Sequence, residues 1–339
     1  MSYSIQNRRY TGSKLKLKEW VVTLIKDNCN GSSFCDMFAG TGVIANEMIN
    51  IYPKVIINDL LYSNNVIYKA FFGKEKFSSE IINAAYKKYE SLCFNTKDDY
   101  VVNNYGNKYF SINDSMKIGD IRQDIELNKT KLNSREYSIL IASLIYSIDK
   151  VANTVGHYDA FFQKQQLKDK FKFELIEFPK KNDCNIEIFR EDANVLAESL
   201  DCDIIYLDPP YNSRQYSRFY HVLENIVEWK KPLLSGIAMK PVAENMSEYC
   251  RSNAPKVLND LVLKLKCKYI IVSYNNTYTS KSNSSRNKIT LEEIRNILKK
   301  RGKLIEFSKE HQFFNAGKTD FDDHKEYIFI VEVISNETN

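Results

Sequence analysis

Residues 33–59 read SFCDMFAGTGVIANEMINIYPKVIIND, and their order decides the fold. Ser33 to Ala39 is an apolar run of strand length that ends in a turn, Gly42 to Tyr52 carries apolar residues at helical spacing, and Lys54 to Asp59 is a second strand-like run closed by an acid. Strand, helix and strand in that order form the repeating unit of a parallel sheet.

Upstream, Lys14 to Asn28 reads as an amphipathic helix, and downstream Asn64 to Phe72 reads as another short one. The alternation then stops. Residues 73–183 are polar and rich in Asn and Tyr, with helical stretches such as SREYSILIASLIYSIDKVA, so this segment is expected to be an inserted, largely helical domain. Beyond it the alternation resumes through NIEIFRED, ANVLAESL, CDIIYLD, FYHVLENIVEWK, APKVLNDLVLKLKC, KYIIVSY, TLEEIRNILKKRG, KLIEFS and EYIFIVEV. The pattern predicts an α/β fold: a doubly wound, mostly parallel sheet of seven strands whose last two pair as an antiparallel hairpin. It divides the chain into residues 1–72 and 184–339, two parts of one α/β domain, around the insert 73–183. The Ser- and Asn-rich stretch from Asn275 to Lys288 reads as an exposed loop.

Composition narrows the function classes less sharply. A chain of 339 residues, 43% of them hydrophobic, can bury a full core. No apolar run reaches the roughly 18 residues that span a membrane, and MSYSIQNRRYTGSK lacks the apolar core of a signal peptide, so a cytoplasmic protein is expected. Seven cysteines, without a C-x-x-C pair or a nearby histidine, signal neither disulfides nor zinc, and no metal is expected. The net charge of +5 is compatible with a polyanionic partner and does not by itself select one.

Ligands of doubly wound sheets bind at the carboxyl ends of the strands, where strand order reverses. After the first strand, Gly40 and Gly42 let backbone approach a ligand closely and start the next helix. GTGVIA also fits a dinucleotide fingerprint, with Asp59 at the distance of a ribose-binding acid, so a nicotinamide-dependent oxidoreductase stays open on these residues alone. The run IIYLDPPYNSRQYSRF, Ile204 to Phe219, shifts the balance. An exocyclic amine on an aromatic base is a poor nucleophile because its lone pair is delocalised into the ring. The Asp208 carboxylate and the Pro209 carbonyl can accept its two N–H bonds and draw that lone pair toward an electrophile. Pro209 and Pro210 stiffen the turn, and Tyr211 offers a face for the base to stack on.

Together YTGSKLKL (Tyr10 to Leu17), DMFAGTG (Asp36 to Gly42) and DPPY (Asp208 to Tyr211), in that order, resemble the alpha-class, Dam-like N6-adenine DNA methyltransferases across nearly the whole chain. KYIIVSYNN, from Lys268, looks like a later strand of that family. The resemblance implies S-adenosylmethionine as methyl donor, S-adenosylhomocysteine as product, no metal, and a target-recognition domain where the insert lies. It implies that Asp208, Pro209, Pro210 and Tyr211 are catalytic, and that Tyr10, Gly12 and Lys14 lie beside the methionine portion of the cofactor. Phe38 and Gly40 would lie beside its nucleoside, with Asp36, Ala39, Gly42 and Asp208 also lining the cofactor site. Asp59 would hold the ribose and Asp192 the adenine amine. Lys14 also reads as a solvated lysine or a DNA phosphate contact, and Asp192 as a helix cap.

Double-stranded DNA is the implied partner, with a cognate restriction endonuclease as a second. Arg214, Tyr216, Arg218 and His221 follow the tetrapeptide, either gripping a flipped nucleotide or forming a solvated basic helix start. In the insert, Gln163, Lys164, Gln165 and Lys168 are candidate DNA contacts among aromatics that read equally as core, and His157 reads as structural. An RNA or protein methyltransferase, or an N4-cytosine enzyme, remains an alternative; enzymes of the last kind more usually carry Ser where Asp208 stands.

Overall fold

The computed structural model describes residues 2–92, 97–163, 166–178, 183–277, 286–310 and 324–334. Seven strands form one sheet: β1 (Ser33–Asp36), β2 (Lys54–Asn58), β3 (Asn185–Phe189), β4 (Ile204–Leu207), β5 (Tyr269–Asn275), β6 (Gly302–Glu310) and β7 (Lys325–Val333). Their order is β3-β2-β1-β4-β5-β7-β6. The first five are mutually parallel, whereas β7 runs antiparallel to both β5 and β6. This is the expected doubly wound sheet with its closing hairpin.

Burial explains why the strands read as they do. β1, β4 and β5 are buried at every position, so each is a continuous apolar run rather than an alternating one. β6 lies at the sheet edge, mostly exposed, and its Lys and Glu residues discourage further strand pairing. Helices Ala254–Lys264 and Leu291–Leu298 contribute Leu258, Leu261, Val262, Ile294 and Leu298 to a core shared with Ile205, Ile270 and Phe329 of the sheet. The second helix starts at a reciprocal capping box between Thr290 and Glu293.

The chain folds as two compact units. One comprises Met1–Ser13, Leu61–Lys181 and Tyr216–Glu244; the other, which holds the whole sheet, comprises Lys14–Leu60, Asn182–Gln215 and Asn245–Asn339. The segment expected as an insert thus lies almost entirely in the first unit, joined there by residues from both sides of it. That unit is helical: Tyr62–Phe72 packs on Ser134–Val151, alongside Ser79–Ser91 and Ile112–Leu127. Ser134–Val151 is buried along most of its length, and Asn133 and Glu136 cap its start reciprocally. Among the described residues no helix is long and apolar enough to cross a membrane.

Candidate active site

Strand order reverses between β1 and β4, whose carboxyl ends deliver Asp36 and Asp208. The turn after β1 is fixed by its own backbone: Ala39 N donates to Asn58 O at 2.9 Å, Gly40 N to the Asp59 carboxylate at 2.9 Å, and Gly42 N to Ala39 O at 2.7 Å. Gly40 and Gly42 have φ of 54° and 74°, a region that side-chain-bearing residues rarely adopt, and Gly42 caps helix Val43–Met48. Asn58, which attracted no notice in the sequence, ties this turn to the next: its amide donates to Met37 O and Glu191 O.

Asp36 is buried, and its Oδ1 has no hydrogen-bond partner among the described residues. Burial, reinforced by the charge of Asp208, pushes its carboxyl well above the usual range. Phe38, half-buried, stands edge-on to Tyr249 at 5.1 Å. Asp192 is exposed and accepts a bond from Asn194 N at 2.9 Å, which caps helix Ala193–Leu196.

At the end of β4 the tetrapeptide is held firmly. The carbonyl of Tyr211 accepts from Lys288 N at 2.7 Å and from the Tyr274 hydroxyl at 3.2 Å, and the Tyr274 ring packs edge-on against Tyr211 with centroids 4.8 Å apart. The Tyr211 hydroxyl donates to Asp208 Oδ1 and accepts from Lys14 Nζ. Lys14 Nζ also lies 3.0 Å from Asp208 Oδ1 and 3.8 Å from Glu326 Oε2. Burial pushes the Asp208 carboxyl up, and Lys14 offsets part of that. For Lys14 burial acts downward, but the two carboxylates outweigh it and the ammonium is stabilised. Lys14 is therefore a buried ion-pair partner of Asp208, not a solvated lysine. Glu326 carried no signal in the sequence, where it reads only as one polar residue in a strand.

The first unit holds most of the remaining candidates. Tyr10 stacks on Tyr220 at 4.7 Å and Tyr216 at 5.3 Å. Thr11 N donates to the Tyr220 hydroxyl, and the Tyr216 hydroxyl donates to Thr11 O. Gly12 has φ of 81°, and a Cβ there would meet the Tyr216 hydroxyl at 3.0 Å. Tyr10 and Gly12 are thus integral to an aromatic stack of one unit, while Lys14 belongs to the other. Arg218 donates to Pro241 O at 2.7 Å, whereas Arg214 falls in the sheet unit, half-buried. His221 places its two ring nitrogens against Arg218 O and Ala238 O, while burial pushes its imidazole down to about 4. His157 stacks on Phe219. Gln163 and Lys168 are exposed; Lys164 and Gln165 lie outside the described residues.

Among known proteins, the type II methyltransferase M.NlaIII of Neisseria lactamica is 30% identical over 95% of this chain and 98% of its own. M.CviAII of Paramecium bursaria Chlorella virus 1, also a type II methyltransferase, is 32% identical over 96% of this chain and 98% of its own. The modification methylase LlaI of Lactococcus lactis subsp. lactis is 32% identical over 79% of this chain, which spans 46% of that longer protein. A family profile matches residues 10–297, from the start of the Tyr10 segment to the last helix of the sheet unit. By that match and those identities, the chain belongs to the D12 class N6 adenine-specific DNA methyltransferases.

Proposed function

We propose that this chain methylates N6 of adenine within a specific double-stranded DNA sequence, using the buried end of β4 as the base-receiving site. The observation that carries the reading is Asp208, a carboxylate 15% exposed and fixed by Lys14 and Tyr211 beside the strand-order reversal. S-adenosylmethionine, when bound, supplies a methyl group already activated by its sulfonium leaving group. The residues beside the glycine turn fit such a cofactor. The unpartnered Oδ1 of Asp36 is a buried acceptor suited to an α-ammonium, and Asp59, bonded to Gly40 N through one oxygen, suits a ribose hydroxyl.

A duplex adenine must leave the stack to bring its amine to Asp208. Unstacking costs a few kcal/mol, which stacking on Tyr211 and bonding to Asp208 and Pro209 partly return. Asp208 then accepts one N–H of the amine and the Pro209 carbonyl the other. The two prolines keep those acceptors in place, so little reorganisation is needed at the moment of transfer. Gln163, Lys168, Arg214, Tyr216 and Arg218 are assigned to the DNA, within a target-recognition role for residues 73–183. A cognate restriction endonuclease is the second partner of this proposal.

The test is incubation with labelled S-adenosylmethionine and unmethylated duplex DNA, followed by digestion to nucleosides. Labelled N6-methyladenine is the expected product. Labelled N4-methylcytosine, or label in RNA but not DNA, would overturn the substrate assignment.

A further inference from the structure

We infer that Glu326 is a positioning residue that takes up the Lys14 ammonium when Asp208 turns to the target amine. The inference rests on the reading of Asp208 as the acceptor for that amine. Asp208 Oδ1 is already engaged by Lys14 Nζ at 3.0 Å and by the Tyr211 hydroxyl. An incoming N–H that reaches Oδ1 competes with both donors for that oxygen, and one that reaches Oδ2 draws charge from the same carboxylate and weakens its hold on the ammonium. Lys14 is only 6% exposed, so an ammonium that lets go of Asp208 cannot turn to water, and a buried unpaired charge is strongly unfavourable.

Glu326 removes that obstacle. Its Oε2 lies 3.8 Å from the same Nζ, and its side chain is only 8% exposed. A small swing of the lysine head exchanges one carboxylate for the other without leaving the protein interior. The topology explains how an acid comes to be there. β7 is antiparallel to its neighbour, so its first residues enter at the edge where the parallel strands end, and Glu326 pairs in register with Asn275 at the end of β5. On its other side Glu326 Oε1 faces His324 Nε2 at 3.7 Å, and His324 Nδ1 lies 3.4 Å from the Thr277 hydroxyl.

The experiment compares wild type, Glu326→Gln and Glu326→Asp in single-turnover methylation of duplex DNA. Cofactor affinity is measured by calorimetry and Tm by thermal melting. The expected result for Glu326→Gln is a fall of about tenfold in the transfer rate, with cofactor affinity and KM for DNA held within about twofold. Glu326→Asp, which keeps the charge one methylene farther away, should fall between the two. In a Lys14→Met background the Glu326→Gln change should have less than about a twofold effect, because no ammonium remains to be moved. Wild-type rates in both Glu326 variants would overturn the inference, as would a loss of the same size with Lys14 absent, or a loss confined to Tm or cofactor affinity. Wild type that leaves adenine unmethylated would instead overturn the substrate reading itself.

Discussion

At the scale of single residues, the site is a small set of buried charges whose protonation and pairing decide what it can do. Asp208→Ala should lower the transfer rate by about 100-fold to 1000-fold, in the range of losing one fixed electrostatic contact to a reacting group, with calorimetry showing cofactor binding retained. Tyr211→Ala should cost about tenfold to a hundredfold through lost base stacking, and Tyr211→Phe less, since the face remains and only the hydroxyl bonds to Asp208 and Lys14 are lost. Asp36 carries a pH signature. Because burial raises its carboxyl in the folded chain, the neutral form favours folding. That contribution is complete below the unfolded value of about 3.9 and is lost as pH rises through the folded one. Asp36→Asn should therefore melt at a higher temperature than wild type at pH 7 without cofactor, and the gap should close toward pH 4. Asp208 and Asp36 could be picked out in the sequence because each closes an apolar run. Their burial and mutual repulsion could not.

At the scale of elements, the amino ends of three strands are fastened by one side chain. Asp203, just ahead of β4, accepts bonds from Ser32 N at 2.7 Å, the Ser32 hydroxyl at 2.9 Å and Ser33 N at 3.2 Å, and it pairs with Lys268 at the entry to β5. Those contacts hold its carboxyl well below the usual carboxylate range. Its stabilisation is present above the unfolded value of about 3.9 and is lost as pH falls through the lower folded one. Asp203→Ala should destabilise by about 1–3 kcal/mol at pH 7, from donors left without their acceptor, and the difference should shrink in acid denaturation. The apolar strands β1, β4 and β5 were legible because strands buried on both faces read as unbroken apolar runs. The clamp that sets them side by side was not, since Ser32, Asp203 and Lys268 are distant in the chain.

For the whole molecule, the family assignment and the modest positive charge point to duplex DNA bound through phosphate contacts as well as base contacts. Raising salt from about 50 to 200 mM should weaken DNA binding by at least about tenfold, the response to two or more neutralised phosphates, while cofactor affinity changes little. A salt-independent DNA affinity would count against the proposed roles of Lys168, Arg214 and Arg218. The division into two units adds something that no linear boundary conveys. Tyr216 to Glu244, which follow the tetrapeptide directly, fold with the helices of the first unit, as do the opening residues through Ser13.

What the sequence by itself determined is the local part of the design: the order of strands and helices, the glycine turn, the proline-stiffened tetrapeptide and, through these, the family. Each is written in consecutive residues, because strand and helix periodicity, positive φ at glycine and proline rigidity act within a few positions of the chain. Only the tertiary structure decided that Lys14 pairs with Asp208 and that Glu326 stands 3.8 Å from the same ammonium. That arrangement depends on β7 running opposite to its neighbour. The sequence foresaw the antiparallel hairpin of the last two strands, but which of the two lies beside β5 comes from how the sheet closes, and no pattern within EYIFIVEV states it.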